Sequence, residues 1–136
     1  MNHQTVMRVT AAISALFGIA LLLAPNALMA MYQAPLLNGT GIYNGMGYGA
    51  ALLGFAVMNW NASTETLQGA RHIIMGTLVF LVLALIASVF RHLTDSTLPA
   101  TGWGNVLLFA VLIFFYARMQ MAIRAGGMPA AAAPQA

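Results

Sequence analysis

Cysteine and lysine are both absent from this chain of 136 residues, and only two residues are acidic. Without cysteine, the chain has no disulfide, thiolate nucleophile, iron–sulfur cluster or cysteine-ligated zinc. Charged residues make up 5% of the chain and hydrophobic residues 61%, whereas about a quarter of a soluble domain is charged. Five scattered arginines cannot form a basic groove, so we expect no nucleic-acid partner. The composition is that of an integral membrane protein.

The few charged residues leave three long uncharged stretches between them: Arg8 to Glu65, Arg71 to Arg91, and Asp95 to Arg118. A spanning helix needs about 20 apolar residues, because each residue rises about 1.5 Å through a hydrocarbon core about 30 Å thick. The sequence therefore predicts an all-α, integral membrane four-helix bundle within residues 1–124. Its predicted spans cover about 6–24, 41–60, 67–90 and 103–123.

The segments outside the spans are predicted to be short. Residues 26–37 follow a proline and are too few to cross, so they indicate an interfacial helix or loop pressed on the headgroups. Ser63 or Thr64 is expected to cap the third span, with Glu65 in its first turn. The low-complexity tail, residues 125–136, is predicted to be disordered.

The arginines predict an orientation. An even number of spans places both termini on one side, and four arginines then fall on that side and one on the other: Arg8, Arg71, Arg118 and Arg124 against Arg91. The positive-inside rule puts both termini in the cytoplasm. These arginines are also expected to anchor the chain to lipid headgroups.

The first span has an alternative interpretation as a cleaved signal peptide. Arg8, the apolar run 9–23 and the small residues of 27–30 match the three parts of such a peptide, with a cut after Ala30. Leu28 would occupy the third position before a cut after Ala30, where a signal peptide has a small residue. This favours an uncleaved helix.

Small residues form two stripes on the second span, a glycine-zipper pattern. One stripe has glycine at every fourth position: Gly41, Gly45 and Gly49. At about 100° per residue, a second stripe lies on nearly the opposite face: Gly47, Ala50 and Gly54. Small residues let membrane helices approach closely, so we expect this helix to be central and packed between two neighbours.

Asn44 and Tyr48 lie one turn apart beside the first glycine stripe. Polar side chains in hydrocarbon need partners, so both are expected to face protein. One interpretation is an interhelical hydrogen bond, to Ser14 or Asn105. The other is a small polar pocket for a lipid, a quinone or another apolar ligand.

The sequence contains no catalytic constellation. No acidic or basic residue lies at the centre of a span, which argues against proton relays and ion pumps. His72 and His92 are about 30 Å apart on one helix, so they cannot share a metal. Arg91 and Asp95 are four residues apart and can form an ion pair if that segment is helical. We therefore expect no metal and no cofactor, and a non-enzymatic role is favoured over an enzymatic one.

Two segments resemble a known group of proteins. The end of the first span, residues 17–25, and the glycine- and tyrosine-rich residues 43–50 are similar to small four-span bacterial membrane proteins of the DoxX-like group, nearest the DUF4345-type members. The resemblance implies a four-helix membrane bundle and no settled activity. Members of the group often carry a charged residue near the start of the second span, where this chain has Asn44.

These features favour a protein that acts through helix–helix association, as a homo-oligomer or as an accessory subunit of a membrane complex. The alternative is binding or transfer of an apolar ligand, a lipid or quinone, near Asn44 and Tyr48. A third class, a membrane enzyme or oxidoreductase partner, needs a catalytic or redox group from another chain.

Overall fold

A computed structural model describes residues 2–96 and 98–126, and every regular element in these residues is helical. This confirms the all-α prediction. The described residues form five α-helices, with a 3₁₀ turn at Ala100–Gly102 before the last: α1 His3–Leu23, α2 Pro25–Met31, α3 Gly39–Ala62, α4 Arg71–Thr94 and α5 Trp103–Gly126.

Three of the helical segments are long and apolar enough to cross a membrane. These are α1, α4 and the segment Ala100–Gly126, with mean hydropathies of 2.1, 2.8 and 2.1. This supports a membrane protein. The helix α3 is as long as α4, at 24 residues, but it is not among the three. Its glycines and asparagines lower its hydropathy relative to α4, which is rich in leucine, isoleucine and valine.

The boundary between α3 and α4 differs from the prediction. The third span was predicted from residue 67, but α4 begins at Arg71 and has neither a side-chain cap nor an acidic residue in its first turn. Ser63 instead ends α3, where its hydroxyl donates to the Trp60 carbonyl at 2.7 Å. The predicted roles of Ser63, Thr64 and Glu65 at the start of α4 are therefore wrong. Side chains in this connection form local hydrogen bonds with the backbone, and these stabilise turns instead of a continuous helix.

The helix α5 extends further than predicted. It continues to Gly126, so residues 125–126 of the predicted tail are helical. The remaining tail, 127–136, lies outside the described residues.

The four long helices pack as two pairs, α1 with α3 and α4 with α5. In the first pair the backbones nearly touch, since a Cβ added to Gly49 would lie 2.8 Å from the Gly18 carbonyl oxygen. The prediction that α3 is the central helix is not met within the chain. Seven residues of α1 are buried, compared with five of the longer α3.

The N-terminal end of α1, the connection from α3 to α4 and the C-terminal end of α5 meet at one end of the molecule. His3 Nε2 donates to the Glu65 carbonyl oxygen at 3.1 Å, and Gln68 Nε2 donates to the Ile123 carbonyl oxygen at 3.1 Å. We call this the terminal end. The opposite end, where α2 lies, is called the α2 end.

Candidate functional site

A cavity of about 360 Å³ lies between the two helix pairs and reaches the α2 end. Each pair packs closely within itself, but α3 and α4 touch each other little, which leaves space between the pairs. Aromatic and aliphatic side chains dominate the wall: Phe17, Leu21, Leu52, Phe55, Phe80 and Phe109. Cavities of this size with a few polar groups in an apolar wall are typical of small-molecule sites.

The segment that contains α2 covers the cavity at the α2 end. Pro25 starts α2, since a missing N–H costs nothing in a first helical turn. The side chain of Asn26 then closes the segment into a loop: its Oδ1 accepts from Leu37 N at 2.7 Å, and its Nδ2 donates to the Leu37 carbonyl at 3.3 Å. Leu28 is buried and, with Tyr32, lines the cavity.

Hydrogen bonds join this cover to the start of α5. The Tyr32 hydroxyl donates to Asn105 Oδ1 at 3.2 Å, and the Thr101 hydroxyl donates to the Tyr32 carbonyl at 2.6 Å. The outer side chains of this segment, such as Met31 and Leu36, are exposed, and their contact with lipid headgroups stays a prediction. Its inner side forms part of the cavity wall.

His92, near the end of α4, lines the cavity with an unpaired nitrogen. Its Nδ1 lies 2.8 Å from the Ser88 carbonyl oxygen, and its ring centre lies 5.1 Å from that of Trp103, with the ring planes tilted by 54°. The Nε2 atom is buried and has no hydrogen-bond partner among the described residues. Gly102 lies against that side of the ring. Sequence reasoning treated His92 only as a metal ligand and missed this place in the cavity wall.

The polar side chains Asn59, Thr77 and Tyr116 join three helices towards the terminal end, and all are buried. Asn59 Oδ1 accepts from the Tyr116 hydroxyl at 2.6 Å and from the Thr77 hydroxyl at 3.4 Å. Thr10 of α1 interacts with the same phenol and also lines the cavity. Each of the four long helices therefore contributes one side chain to a buried polar cluster: Thr10, Asn59, Thr77 and Tyr116. The cluster adjoins the cavity through Thr10.

The two polar residues predicted on α3 have different positions. Tyr48 lines the cavity and is about half exposed, 47%. Asn44 is exposed and does not line it. The predicted partners of Asn44 are engaged elsewhere, since Asn105 accepts from Tyr32 and Ser14 is buried in the cavity wall. The pocket is therefore displaced from Asn44 towards α4 and α5.

The first glycine stripe faces α1 and the cover segment. Gly49 lies against Gly18, while a Cβ at Gly45 would meet Leu37 and Pro25 at ordinary contact distances of 3.6 and 3.7 Å. Gly41, the remaining member of the stripe, lies beside Leu37.

The second stripe faces outward. Its three members, Gly47, Ala50 and Gly54, are exposed. Among the described residues, no atom lies within 4 Å of a Cβ added at Gly47 or at Gly54.

Asn59 was missed although the spacing of residues contained a signal for it. From Gly49, steps of three and four lead along one helix face through Leu52 and Ala56 to Asn59, and all four are buried. Asn59 thus extends the glycine stripe. A polar side chain on the most closely packed face of a membrane helix indicates a buried hydrogen bond.

The arginines predicted as anchors are all exposed. Arg8 donates from Nε to the Ser63 hydroxyl at 3.3 Å and lies 5.9 Å from the centre of the Trp60 ring. Arg91 forms the expected ion pair with Asp95 at 2.7 Å. The other three arginines lie on the part of α4 or α5 towards the terminal end: Arg71, Arg118 and Arg124.

The remaining candidates for chemistry are dispersed. His72 accepts from Arg71 Nε at 3.0 Å, far from His92 at the opposite end of α4. Within residues 2–96 and 98–126, no three side chains of His, Asp or Glu come together as a metal site would require.

Comparisons with known protein families, curated proteins and solved structures give no match to this chain.

Proposed function

We propose that all four long helices, α3 included, cross the inner membrane of a bacterium as a four-helix bundle, with the terminal end in the cytoplasm. At 24 residues, α3 is about 36 Å long, enough to span the hydrocarbon core. It packs along α1, which is itself apolar enough to cross. The four-to-one division of arginines supports the orientation. This arrangement also fits the resemblance to the DoxX-like group, which we retain as a proposal.

The cysteine-free chain allows a direct test of the orientation. Thr64 and Ser96 are exposed at opposite ends of the molecule, so each can be replaced by cysteine in turn. We expect a membrane-impermeant maleimide to label Ser96→Cys in intact spheroplasts and to label Thr64→Cys only after lysis. Labelling of Thr64→Cys in intact spheroplasts would contradict the proposed orientation.

We propose that the protein binds an apolar ligand from the bilayer in the cavity between the helix pairs. The cavity itself is the observation that carries this proposal. The apolar wall of a cavity of about 360 Å³ lacks dispersion contacts unless another molecule fills it, and the cost of unfilled apolar space rises with volume. A lipid or another membrane-soluble molecule inside it restores those contacts. The ligand site includes Tyr48 and lies away from Asn44.

Native mass spectrometry of gently extracted protein tests ligand binding, and neighbouring leucines of α5 provide matched variants. Leu108 lines the cavity, whereas Leu107 is 67% exposed on the outer face. We expect a small-molecule adduct on the wild type. Leu108→Trp adds an indole to the cavity wall and is expected to reduce the adduct at least severalfold, while Leu107→Trp retains it. Equal adducts on the two variants would contradict the location, and a bare wild-type chain would contradict binding.

A second candidate function is self-association or docking in a membrane complex through the outward stripe of α3. The open space around Gly47 and Gly54 supports it, because such a face lets another helix approach closely. Gly45 is a poor test residue, since its free side faces Pro25 and Leu37 of the same chain. The same native mass spectra count the copies of the chain. A uniform monomer with a ligand adduct favours the first function, and a defined oligomer without adduct favours the second.

A further inference from the structure

The chemistry of the cavity wall restricts the head group of its ligand. Among the described residues, no Asp, Glu, Lys or Arg side chain lines the cavity. A phosphate or carboxylate head would therefore be buried without a counter-charge, which is strongly unfavourable. The Tyr32 hydroxyl donates to Asn105 Oδ1, so these two oxygen atoms are paired with each other. Among the described residues that line the cavity, His92 Nε2 is the fully buried side-chain polar atom without a hydrogen-bond partner.

The hydrogen bond at Nδ1 determines whether Nε2 of His92 is a donor or an acceptor. The Ser88 carbonyl oxygen, 2.8 Å from Nδ1, can only accept, so Nδ1 carries the proton. In the neutral ring, Nε2 is then an acceptor without a partner. It has almost no accessible surface beside Gly102, so a ligand hydroxyl reaches it only when the ring or Gly102 shifts. A buried acceptor without a donor is unfavourable, and a ligand hydroxyl placed there removes that cost.

We propose that the cavity binds an uncharged apolar molecule with a hydroxyl head, whose O–H donates to His92 Nε2. This inference rests on the proposed ligand-binding function. The hydrocarbon body lies among Phe17, Phe80 and Phe109, which line the same cavity. An ether or ester of the same shape lacks the donor and leaves Nε2 unpaired, so the site discriminates by hydrogen bonding as well as by shape.

Gly102 controls access to the same nitrogen. A Cβ added at this position would overlap Nε2 and Cε1 of His92. Gly102→Ala must therefore displace the ring or cover Nε2, while it leaves the imidazole in the protein. It provides a second variant that removes the acceptor from the cavity by a different route from His92→Phe.

The test uses Trp103 as a reporter. The chain has two tryptophans, so Trp60→Phe leaves Trp103, whose ring contacts His92, as the sole tryptophan. This protein is placed in lipid nanodiscs and titrated with dodecanol or with dodecyl methyl ether, compared at equal mole fraction in the bilayer. We expect dodecanol to change Trp103 fluorescence with saturation and to bind about tenfold more tightly than the ether, a ratio in the range of a single hydrogen bond with an unpaired acceptor.

The variants separate the two proposals. With His92→Phe and with Gly102→Ala, we expect the preference for dodecanol to fall to near unity while the weak binding of the ether persists. Equal affinities for the two probes in the parent protein, or a preference that both variants retain, would overturn the hydroxyl assignment but leave ligand binding standing. Saturable binding of neither probe, together with a bare wild-type mass spectrum, would overturn both.

Discussion

Gly49→Ala is expected to destabilise the protein by about 2–3 kcal/mol, because one added methyl group forces α1 and α3 apart. The new Cβ would lie 2.8 Å from the Gly18 carbonyl oxygen and 2.9 Å from Leu22 N. Both are backbone atoms and cannot rotate away as a side chain would. The contact is reciprocal, since a Cβ at Gly18 would lie 2.9 Å from the Gly49 carbonyl oxygen. Close approach of this kind is how membrane helices gain packing energy without a hydrophobic driving force.

Gly47→Ala is the matched control for this prediction. Gly47 lies two residues from Gly49 in the same helix, with nothing within 4 Å of an added Cβ. Both substitutions gain the same helix propensity, about 1 kcal/mol, so their difference isolates the contact with α1. Denaturation by SDS in mixed micelles, followed by circular dichroism, measures the difference. Indistinguishable unfolding midpoints for the two variants would show that α1 and α3 do not cross at Gly18 and Gly49.

The helical class of the protein could be predicted from its sequence because it follows from local quantities. Hydropathy and charge spacing predicted four long segments, and four long helices occur near those positions. The start of α4 was misplaced because residues 67–70 are compatible with a helix by composition. A hydrogen bond from Gly69 N to the Thr66 hydroxyl holds them in turns instead, a choice that hydropathy does not register.

The pairing of the helices could not be predicted from one sequence. Two stripes of small residues on α3 were equivalent by composition, and only the chain around them decides which one is used. Gly18 of α1 makes the difference, since it provides a matching gap for Gly49. The cavity could not be predicted from the sequence either, because it results from the loose packing between the two helix pairs. Its wall combines residues from all five helices, which no local pattern relates.

On α3, burial and not residue type decides which asparagine hydrogen-bonds to other helices. Asn44 and Asn59 lie on the same helix, and the sequence drew attention to Asn44 because it adjoins the glycines. Asn44 is exposed, whereas Asn59 is fully buried with partners on two other helices. Asn59 was overlooked because it precedes the polar connection 61–65 and so resembled a helix end.

Asn59→Leu is therefore expected to cost about 2–3 kcal/mol, because it leaves the buried Tyr116 hydroxyl without its 2.6 Å acceptor. It also removes the acceptor of Thr77 and the bond from Asn59 Nδ2 to the Phe55 carbonyl at 3.0 Å. Asn44→Leu is the matched control on the exposed face and is expected to change stability by less than about 0.5 kcal/mol.

A double-mutant cycle shows whether the lost stability belongs to this cluster. Tyr116→Phe alone removes the donor and is expected to cost about 1 kcal/mol, since Asn59 keeps its bonds to Thr77 and Phe55. In the Asn59→Leu background the tyrosine hydroxyl has already lost its bond to Asn59 and keeps only its contacts with threonines, so its removal should cost little. The coupling energy between the two positions is then about 1 kcal/mol, measured by SDS unfolding of all four proteins. Additive effects would mean that Asn59 and Tyr116 stabilise the protein independently and that α3 and α5 are not joined through this hydrogen bond.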